Sequence, residues 1–108
     1  MPNDISLTVR LPHDLNVQLL SCAKELGMTK TNLLRGAIHD FLTVDDIELD
    51  FSAVPGAKDR LVLNVNQITH GILEAACKKH SQSMNAVITA VGVLALERSA
   101  KWLQAVRP

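Results

Sequence analysis

The chain repeats one pattern twice, and this repeat constrains its fold more than any other feature of the sequence. A segment of alternating apolar and polar residues, followed by two helix-like segments, occurs at about residues 5–42 and again at about 60–96. A chain of 108 residues is the length of one domain, and each copy alone is too small to bury a stable core. We therefore predict one domain, 1–108, in which two copies pack together like a dimer fused into one chain.

The first copy, 5–42, is predicted to form a strand and two helices. Apolar residues alternate with Ser6, Thr8 and Arg10, which indicates a strand with one apolar and one polar face. Pro12 is expected to end the strand because it lacks a backbone donor, and Gly27 is expected to end the first helix through a left-handed turn. Residues 29–32 supply side-chain oxygens that can cap the second helix.

The second copy, 59–103, follows the same plan with a strand over 60–66. Its helices match those of the first copy best at an offset of 53 residues, whereas the strands match at 54. This difference predicts a strand-to-helix turn that is one residue shorter, with Asn66 in the place of Pro12 and His80 in the place of Gly27. The apolar stripe expected in its first helix consists of Ile68, Ile72, Leu73 and Ala76.

The segment 43–58 is predicted to be an acidic surface linker. It carries Asp45, Asp46, Glu48 and Asp50, with Pro55 and Gly56 close behind. Ile47, Leu49 and Phe51 alternate with these acids and are expected to pack against the domain. After the second copy, residues 97–103 are expected to continue the last helix, with Trp102 as a clamp.

Charge and composition exclude several classes of protein. Eleven basic residues balance eleven acidic ones, so the net charge identifies no partner, although 58–108 carry seven bases and three acids. No apolar run approaches the roughly 18 residues of a membrane span, and the start lacks the order of a signal peptide. We therefore expect a cytoplasmic protein without a membrane partner, in which Cys22 and Cys77 are reduced, structural thiols.

Pairing the two strands would give an antiparallel ribbon whose apolar face packs on four helices. Its other face would present six side chains to solvent: Ser6, Thr8, Arg10, Arg60, Val62 and Asn64. A two-stranded ribbon fits the major groove of B-DNA, where arginine contacts guanine, asparagine contacts adenine, and an apolar group meets the thymine methyl. We predict that these six residues contact base edges in double-stranded DNA.

The first turns of the two later helices are predicted to hold DNA phosphates. Free backbone N–H groups and the helix dipole favour anions at a helix N-terminus. The predicted phosphate contacts are Thr29, Lys30 and Thr31 in one copy, and Ser81, Ser83 and Met84 in the other. Such contacts would fix the register of the protein on DNA without selecting a sequence.

Simpler interpretations stay open for several of these residues. A polar strand face is usually solvated, Arg60 could contact phosphate, and Val62 could reflect strand propensity alone. Lys30 could be an ordinary surface lysine, and the serines could cap helices without binding phosphate. Cys77 and His80 have a metal-like spacing but no second pair, and no catalytic motif stands out. We expect neither a metal, nor a cofactor, nor enzymatic activity.

These residues resemble the ribbon-helix-helix family, the group of the Arc and MetJ repressors. The resemblance rests on LTVRLP at 7–12, GMTKTNLL at 27–34 and Ala37-Ile38, and the second copy is a degenerate match. It implies a mainly α fold with one two-stranded antiparallel β-ribbon, here as a single-chain tandem ribbon-helix-helix pseudo-dimer. It also implies sequence-specific DNA binding without a catalytic centre.

The tandem form is similar to TraY-type accessory proteins of plasmid conjugation. This similarity implies either a transcriptional repressor or a plasmid-transfer (relaxosome) accessory protein, with side-by-side self-association on DNA and a relaxase or other protein partner. Because the two strands present different residues, we expect one molecule to prefer a non-palindromic site. The alternatives are an antitoxin-like protein-interaction module, using 97–108 and the acidic linker, or a scaffold that has lost DNA binding.

Overall fold

The computed structural model describes residues 4–52 and 58–106. These residues are mainly helical, with one two-stranded antiparallel sheet, which confirms the predicted mainly α content and the two-stranded ribbon. The strands are β1 (Ile5–Pro12) and β2 (Lys58–Val65). The helices are α1 (His13–Glu25), α2 (Lys30–Leu42), α3 (Gln67–His80) and α4 (Met84–Val106).

The two strands form a ribbon centred on one residue pair. Thr8 lies opposite Val62, and the pairing runs from Ile5 opposite Val65 to Pro12 opposite Lys58. Pro12 is the last residue of β1, as predicted, and β2 begins at Lys58, inside the segment predicted to be linker. The inward face of the ribbon contributes four fully buried residues to the core: Val9, Leu11, Leu63 and Val65.

The core is aliphatic and shared by all six elements. Its largest buried side chains come from both copies, for example Leu19 and Leu34 with Leu73 and Ile88. Burying each such side chain stabilises the fold by about 1.5–3 kcal/mol. In α4, Gly92 lets α1 approach closely, because a Cβ at this position would lie only 3.4 Å from methyl carbons of Leu15 and Leu19.

The two copies correspond at one offset of 54 residues throughout, so the predicted offset of 53 for the helices is wrong. The left-handed residues that follow the first helices are Gly27 (φ 75°) and Ser81 (φ 54°). The residues that cap the second helices are Thr29 and Ser83, and both pairs are 54 apart. The predicted shorter turn is therefore not present, and His80 is instead the last residue of α3.

The corrected offset also changes the buried face of α3. Ile68, which was predicted to be buried, is 70% exposed, whereas its neighbour Thr69 is 2% exposed. Thr69 Oγ1 lies 2.7 Å from His39 Nε2 on α2, so its hydroxyl has a polar partner inside the protein. Because its hydroxyl has a hydrogen-bond partner, Thr69 can occupy the buried position that the apolar pattern assigned to Ile68.

Phe51, in the described part of the linker (43–52), packs against the domain as predicted. Phe51 lies against the hydrophobic core, with its ring centroid 5.5 Å from that of His80. Lys79 Nζ donates to the backbone oxygen of Asp45 at 2.6 Å. The predicted turn at Pro55 and Gly56 lies outside the described residues.

The end of α4 is clamped to α2 by an arginine. Arg98 lies over the rings of Trp102 (4.6 Å) and Phe41 (4.8 Å) and donates to Asp40 at 2.6 Å. The predicted continuation of the last helix is confirmed, since α4 extends to Val106. Trp102 acts there through Arg98, because a guanidinium over an aromatic face is an attractive pair.

Candidate nucleic-acid interface

The outward face of the ribbon carries the six side chains predicted from the alternation. Ser6, Thr8, Arg10, Arg60, Val62 and Asn64 are all exposed. Val62 is the apolar member of this set and is 45% exposed. The period of two places them on one face because successive side chains on a strand point to opposite sides. The face is therefore a contiguous surface built from both copies.

The register sorts the six residues into three cross-strand pairs. Ser6 lies opposite Asn64, Thr8 opposite Val62, and Arg10 opposite Arg60. The first pair is joined by a hydrogen bond, in which the Ser6 hydroxyl donates to Asn64 Oδ1 at 2.7 Å. One end of the face is therefore neutral and bonded across the strands, whereas the other end carries two positive charges.

The two arginines face each other without a compensating acid. Across residues 4–52 and 58–106, neither the Arg10 nor the Arg60 guanidinium is paired with a carboxylate. Like charges directly opposite each other on a sheet are destabilising. A site that keeps such a pair is suited to an anionic or strongly hydrogen-bond-accepting ligand.

Side chains from α2 and α4 hold the outer edges of the ribbon. Asn85 Oδ1 accepts from the backbone N–H of Arg10 at 2.7 Å, and Asn85 Nδ2 donates to the Arg10 carbonyl at 3.0 Å. On the other edge, Arg35 Nη1 donates to the Asn64 carbonyl at 2.8 Å. Both contacts attach a helix of one copy to the strand of the other.

These edge contacts also define the geometry of the exposed pairs. Because both backbone groups of Arg10 point away from β2, Arg10 and Arg60 form a non-hydrogen-bonded pair, in which opposite Cα atoms lie about 4.5 Å apart. Sequence patterns assigned no such role to Asn85 or Arg35. An asparagine in a capping segment was visible, but its partner 75 residues away was not.

The N-terminus of α2 lies beside an internal polar network. Thr29 caps the helix by accepting from the Asn32 N–H at 3.1 Å. The Lys30 ammonium donates to Asn16 Oδ1, and Asn16 Nδ2 donates to Asp59 Oδ2 at 2.7 Å. Lys30 is therefore engaged within the protein, and Thr31 beside it is half-buried.

Asp59 is the acidic centre of this network. The hydrogen bond from Asn16 and then the one with His13, whose Nδ1 lies 2.9 Å from the carboxylate, lower the pKa of Asp59. The corresponding position in the first copy is Ile5, so this carboxylate is found on one side of the ribbon only. The two predicted phosphate positions are therefore electrostatically different.

The N-terminus of α4 differs from that of α2. Ser83 caps the helix by accepting from the Ala86 N–H at 3.1 Å, and Met84 follows it, half-buried. Ser81 lies earlier, in the left-handed turn after α3, so the residue at the position of Thr31 is Asn85. A cleft of about 240 Å³ opens beside this helix end, between the linker at Phe51 and the start of β2.

The described residues contain few other features that bind ligands. No group of three or more His, Cys, Asp or Glu side chains among them could hold a metal ion. None of their helices combines the length and apolarity needed to cross a membrane. Burial, followed by the charge of Glu74, raises the pKa of Cys77, which keeps this thiol protonated.

Comparisons of the chain with protein-family models, with curated proteins and with solved structures found no match. The exposed ribbon face and the contacts that hold it are therefore the features from which a function can be inferred.

Proposed function

We propose that this protein binds double-stranded DNA in a sequence-specific manner, by inserting the β1–β2 ribbon into the major groove. The observation that carries the proposal is the exposed Arg10–Arg60 pair at one end of a solvent-facing ribbon. Guanine presents two acceptors, N7 and O6, to an arginine in the major groove. DNA would thus supply the acceptors that the protein itself does not provide for these guanidiniums.

The shape of the molecule supports this placement. The major groove accepts a two-stranded ribbon, and the helices here lie behind the ribbon, away from the exposed face. Asn85, in the first turn of α4, and Arg35, in the second turn of α2, fasten these helices to the two outer edges of the ribbon. Those helix N-termini would then face the phosphates that flank the groove.

The repeat supports a ribbon-helix-helix pseudo-dimer as the form that binds. An offset of 54 residues makes Thr8 equivalent to Val62, and these two residues are also paired across the strands. Exchanging the copies therefore converts the pair Ser6–Asn64 into the pair Arg10–Arg60. This relation is the one expected for a twofold axis through the centre of the ribbon.

Two biological settings suit this activity. A transcriptional repressor and a plasmid-transfer accessory protein both need a small, non-catalytic reader of DNA, and either would work in the cytoplasm. Binding by adjacent molecules side by side would raise the occupancy of such a site. We propose these settings as the contexts in which the DNA binding would be used.

Selection of duplex DNA from a random pool with the full chain tests the proposal. We expect enriched sequences, which are then labelled and titrated by fluorescence anisotropy at fixed salt, because electrostatic affinity depends on salt. Arg10→Ala should weaken binding to the selected duplex by about ten- to a hundredfold.

Lys101→Ala is the matched control for the loss of one positive charge. Lys101 is exposed on α4, sixteen residues after Asn85, and thus about 24 Å along the helix from the ribbon. We expect this variant to bind like the wild type. An Arg10→Ala/Arg60→Ala variant that still binds the selected duplex with wild-type affinity would contradict the proposal.

A further inference from the structure

We propose that the ribbon recognises guanine at one end and adenine at the other. The two ends of the preferred DNA site would therefore differ in sequence, and the site would not be palindromic. The inference rests on the proposed DNA binding and deepens it by assigning base classes to particular residue pairs. Its basis is the strand register. This register places Arg10 and Arg60 at one end of the exposed face, and the Ser6 hydroxyl and the Asn64 amide at the other.

The arginine end is suited to guanine. Arg10 and Arg60 lie directly opposite each other, are exposed and have no carboxylate partner among the described residues. Each guanidinium can donate two parallel hydrogen bonds to guanine O6 and N7. Two such donors side by side would each select a guanine, on the same DNA strand or on opposite strands. Cytosine and adenine are disfavoured because each presents an amino group where an arginine needs an acceptor.

The opposite end is suited to adenine. Asparagine recognises adenine by accepting from N6 with Oδ1 and donating to N7 with Nδ2. The Ser6 hydroxyl donates to Asn64 Oδ1 at 2.7 Å, which fixes the orientation of the amide and leaves Nδ2 to donate. Oδ1 has a second lone pair for the adenine amino group. Ser6 is thus a positioning residue for Asn64.

The backbone at this end is also held in place. Arg35 donates to the Asn64 carbonyl at 2.8 Å, and Asn32 Oδ1 accepts from the same guanidinium at 2.5 Å. A side chain on a fixed backbone loses less conformational entropy when it binds. Asn64 is therefore preorganised by contacts on two sides, its amide by Ser6 and its carbonyl by Arg35.

The two ends are separated by a defined span. Four residues along a strand cover about 13 Å, which corresponds to about four base-pair steps of DNA. Thr8 and Val62 occupy the centre, where an apolar contact with a thymine methyl group is available. The expected motif therefore has guanine at one end and adenine about four base pairs away.

Random-pool selection with the wild-type chain, followed by titration of single-base variants of the enriched duplex, tests this assignment. Arg60→Gln should remove the preference at guanine positions by about five- to a hundredfold and leave the adenine position unchanged. Asn64→Ala should do the reverse. Ser6→Ala should reduce the preference for adenine at that one position, an effect that a purely structural role of Ser6 would not produce.

A variant with equalised strands gives the sharpest comparison. Arg60→Ser/Val62→Thr/Asn64→Arg gives the second strand the exposed residues of the first, and all three positions are exposed. We expect this variant, with its fold checked by circular dichroism, to enrich a palindromic motif while the wild type enriches an asymmetric one.

Three outcomes would overturn the assignment. If the wild-type chain enriched a palindromic motif, the base assignment would be wrong, although the proposed DNA binding would still hold. Arginine variants that weaken binding to all duplexes equally and reduce its salt dependence would show that the arginines contact phosphates. Failure of the wild-type chain to bind any duplex would instead refute the proposed function itself, and the assignment with it.

Discussion

At the scale of single residues, the arginine pair sets function against stability. Arg10 and Arg60 repel each other across the ribbon in the free protein. We expect Arg60→Gln to raise the free energy of unfolding by about 0.2–1 kcal/mol at low salt, the usual range for a cross-strand pair. Urea denaturation measures this change, and the gain should shrink at high salt because exposed charges are screened. A clear loss of stability in Arg60→Gln would show that the guanidinium has a favourable partner in the free protein.

A second prediction at this scale concerns Asp59 and acid. The hydrogen bonds from Asn16 and His13 lower the pKa of Asp59 below its ordinary value of 3.8. A carboxyl whose pKa is lower in the folded state stabilises the fold above its unfolded-state pKa and loses that contribution as the pH falls through the folded value. Asp59→Asn should therefore be less stable than the wild type at pH 6, and the difference should shrink progressively as the pH falls below 3.8.

Urea denaturation of both proteins between pH 2 and 7 measures this effect. Asp46→Asn removes an exposed linker carboxylate and is the matched control for the loss of one negative charge. A difference between wild type and Asp59→Asn that persists unchanged at pH 2 would contradict the assignment of the network to the ionised carboxylate.

The alternation of the strands predicted all six exposed positions of the ribbon face, because a period of two depends on local geometry alone. The contacts around them could not be predicted in this way. Lys30 was expected to be available to phosphate, but its ammonium contacts Asn16. Likewise, Asn85 satisfies the backbone of a residue 75 positions away, which only the packing of the two copies brings within reach.

At the scale of the elements, we expect opposite effects on stability from exchanging glycine and serine at the ends of α1 and α3. Gly27 and Ser81 both have left-handed backbone and follow equivalent helices. A residue with a Cβ costs about 1 kcal/mol in this conformation. Ser81→Gly should therefore raise the free energy of unfolding by about 1 kcal/mol, and Gly27→Ser should lower it by a similar amount.

Urea denaturation again gives the measurement, and Ser21→Gly provides the control. Ser21 is exposed within α1, where glycine should destabilise by about 0.5–1 kcal/mol. A Ser81→Gly variant that is less stable than the wild type would show that the serine side chain contributes more at this turn than its backbone strain costs.

The error in the helix offset has a physical origin at the same scale. Leu19 matches Ile72 and Ala23 matches Ala76 by residue type at 53, but the fully buried partner of Leu19 is Leu73, at 54. Adjacent apolar residues on a helix allow its stripe to be shifted by one position without losing amphipathicity. The packing against α2 decides between the two, since it buries Thr69 and leaves Ile68 exposed.

At the scale of the whole molecule, the two copies contribute unequal volumes to one shared core. At equivalent positions the first copy holds Leu15 and Ile38, and the second holds Thr69 and Gly92. Gly92 lies against Leu15 and Leu19, where a Cβ would already be at 3.4 Å. If the second copy were replaced by another first copy, an isoleucine equivalent to Ile38 would stand at the position of Gly92. Overpacking of this kind typically costs about 1–3 kcal/mol of stability. We therefore expect the core to favour pairing of unlike copies.

This asymmetry leads to a prediction for the separated halves. Residues 1–52 and 53–108, prepared as two peptides, should each lack a cooperative unfolding transition at micromolar concentration, because the ribbon and the core need both copies. Mixing them should restore the helical circular-dichroism signal and give a 1:1 complex in sedimentation. The first half should self-associate only weakly, since its homodimer would place Ile38 where Gly92 makes room for α1. A first half that folds alone as a monomer, or forms a homodimer as stable as the mixed complex, would contradict this account of the core.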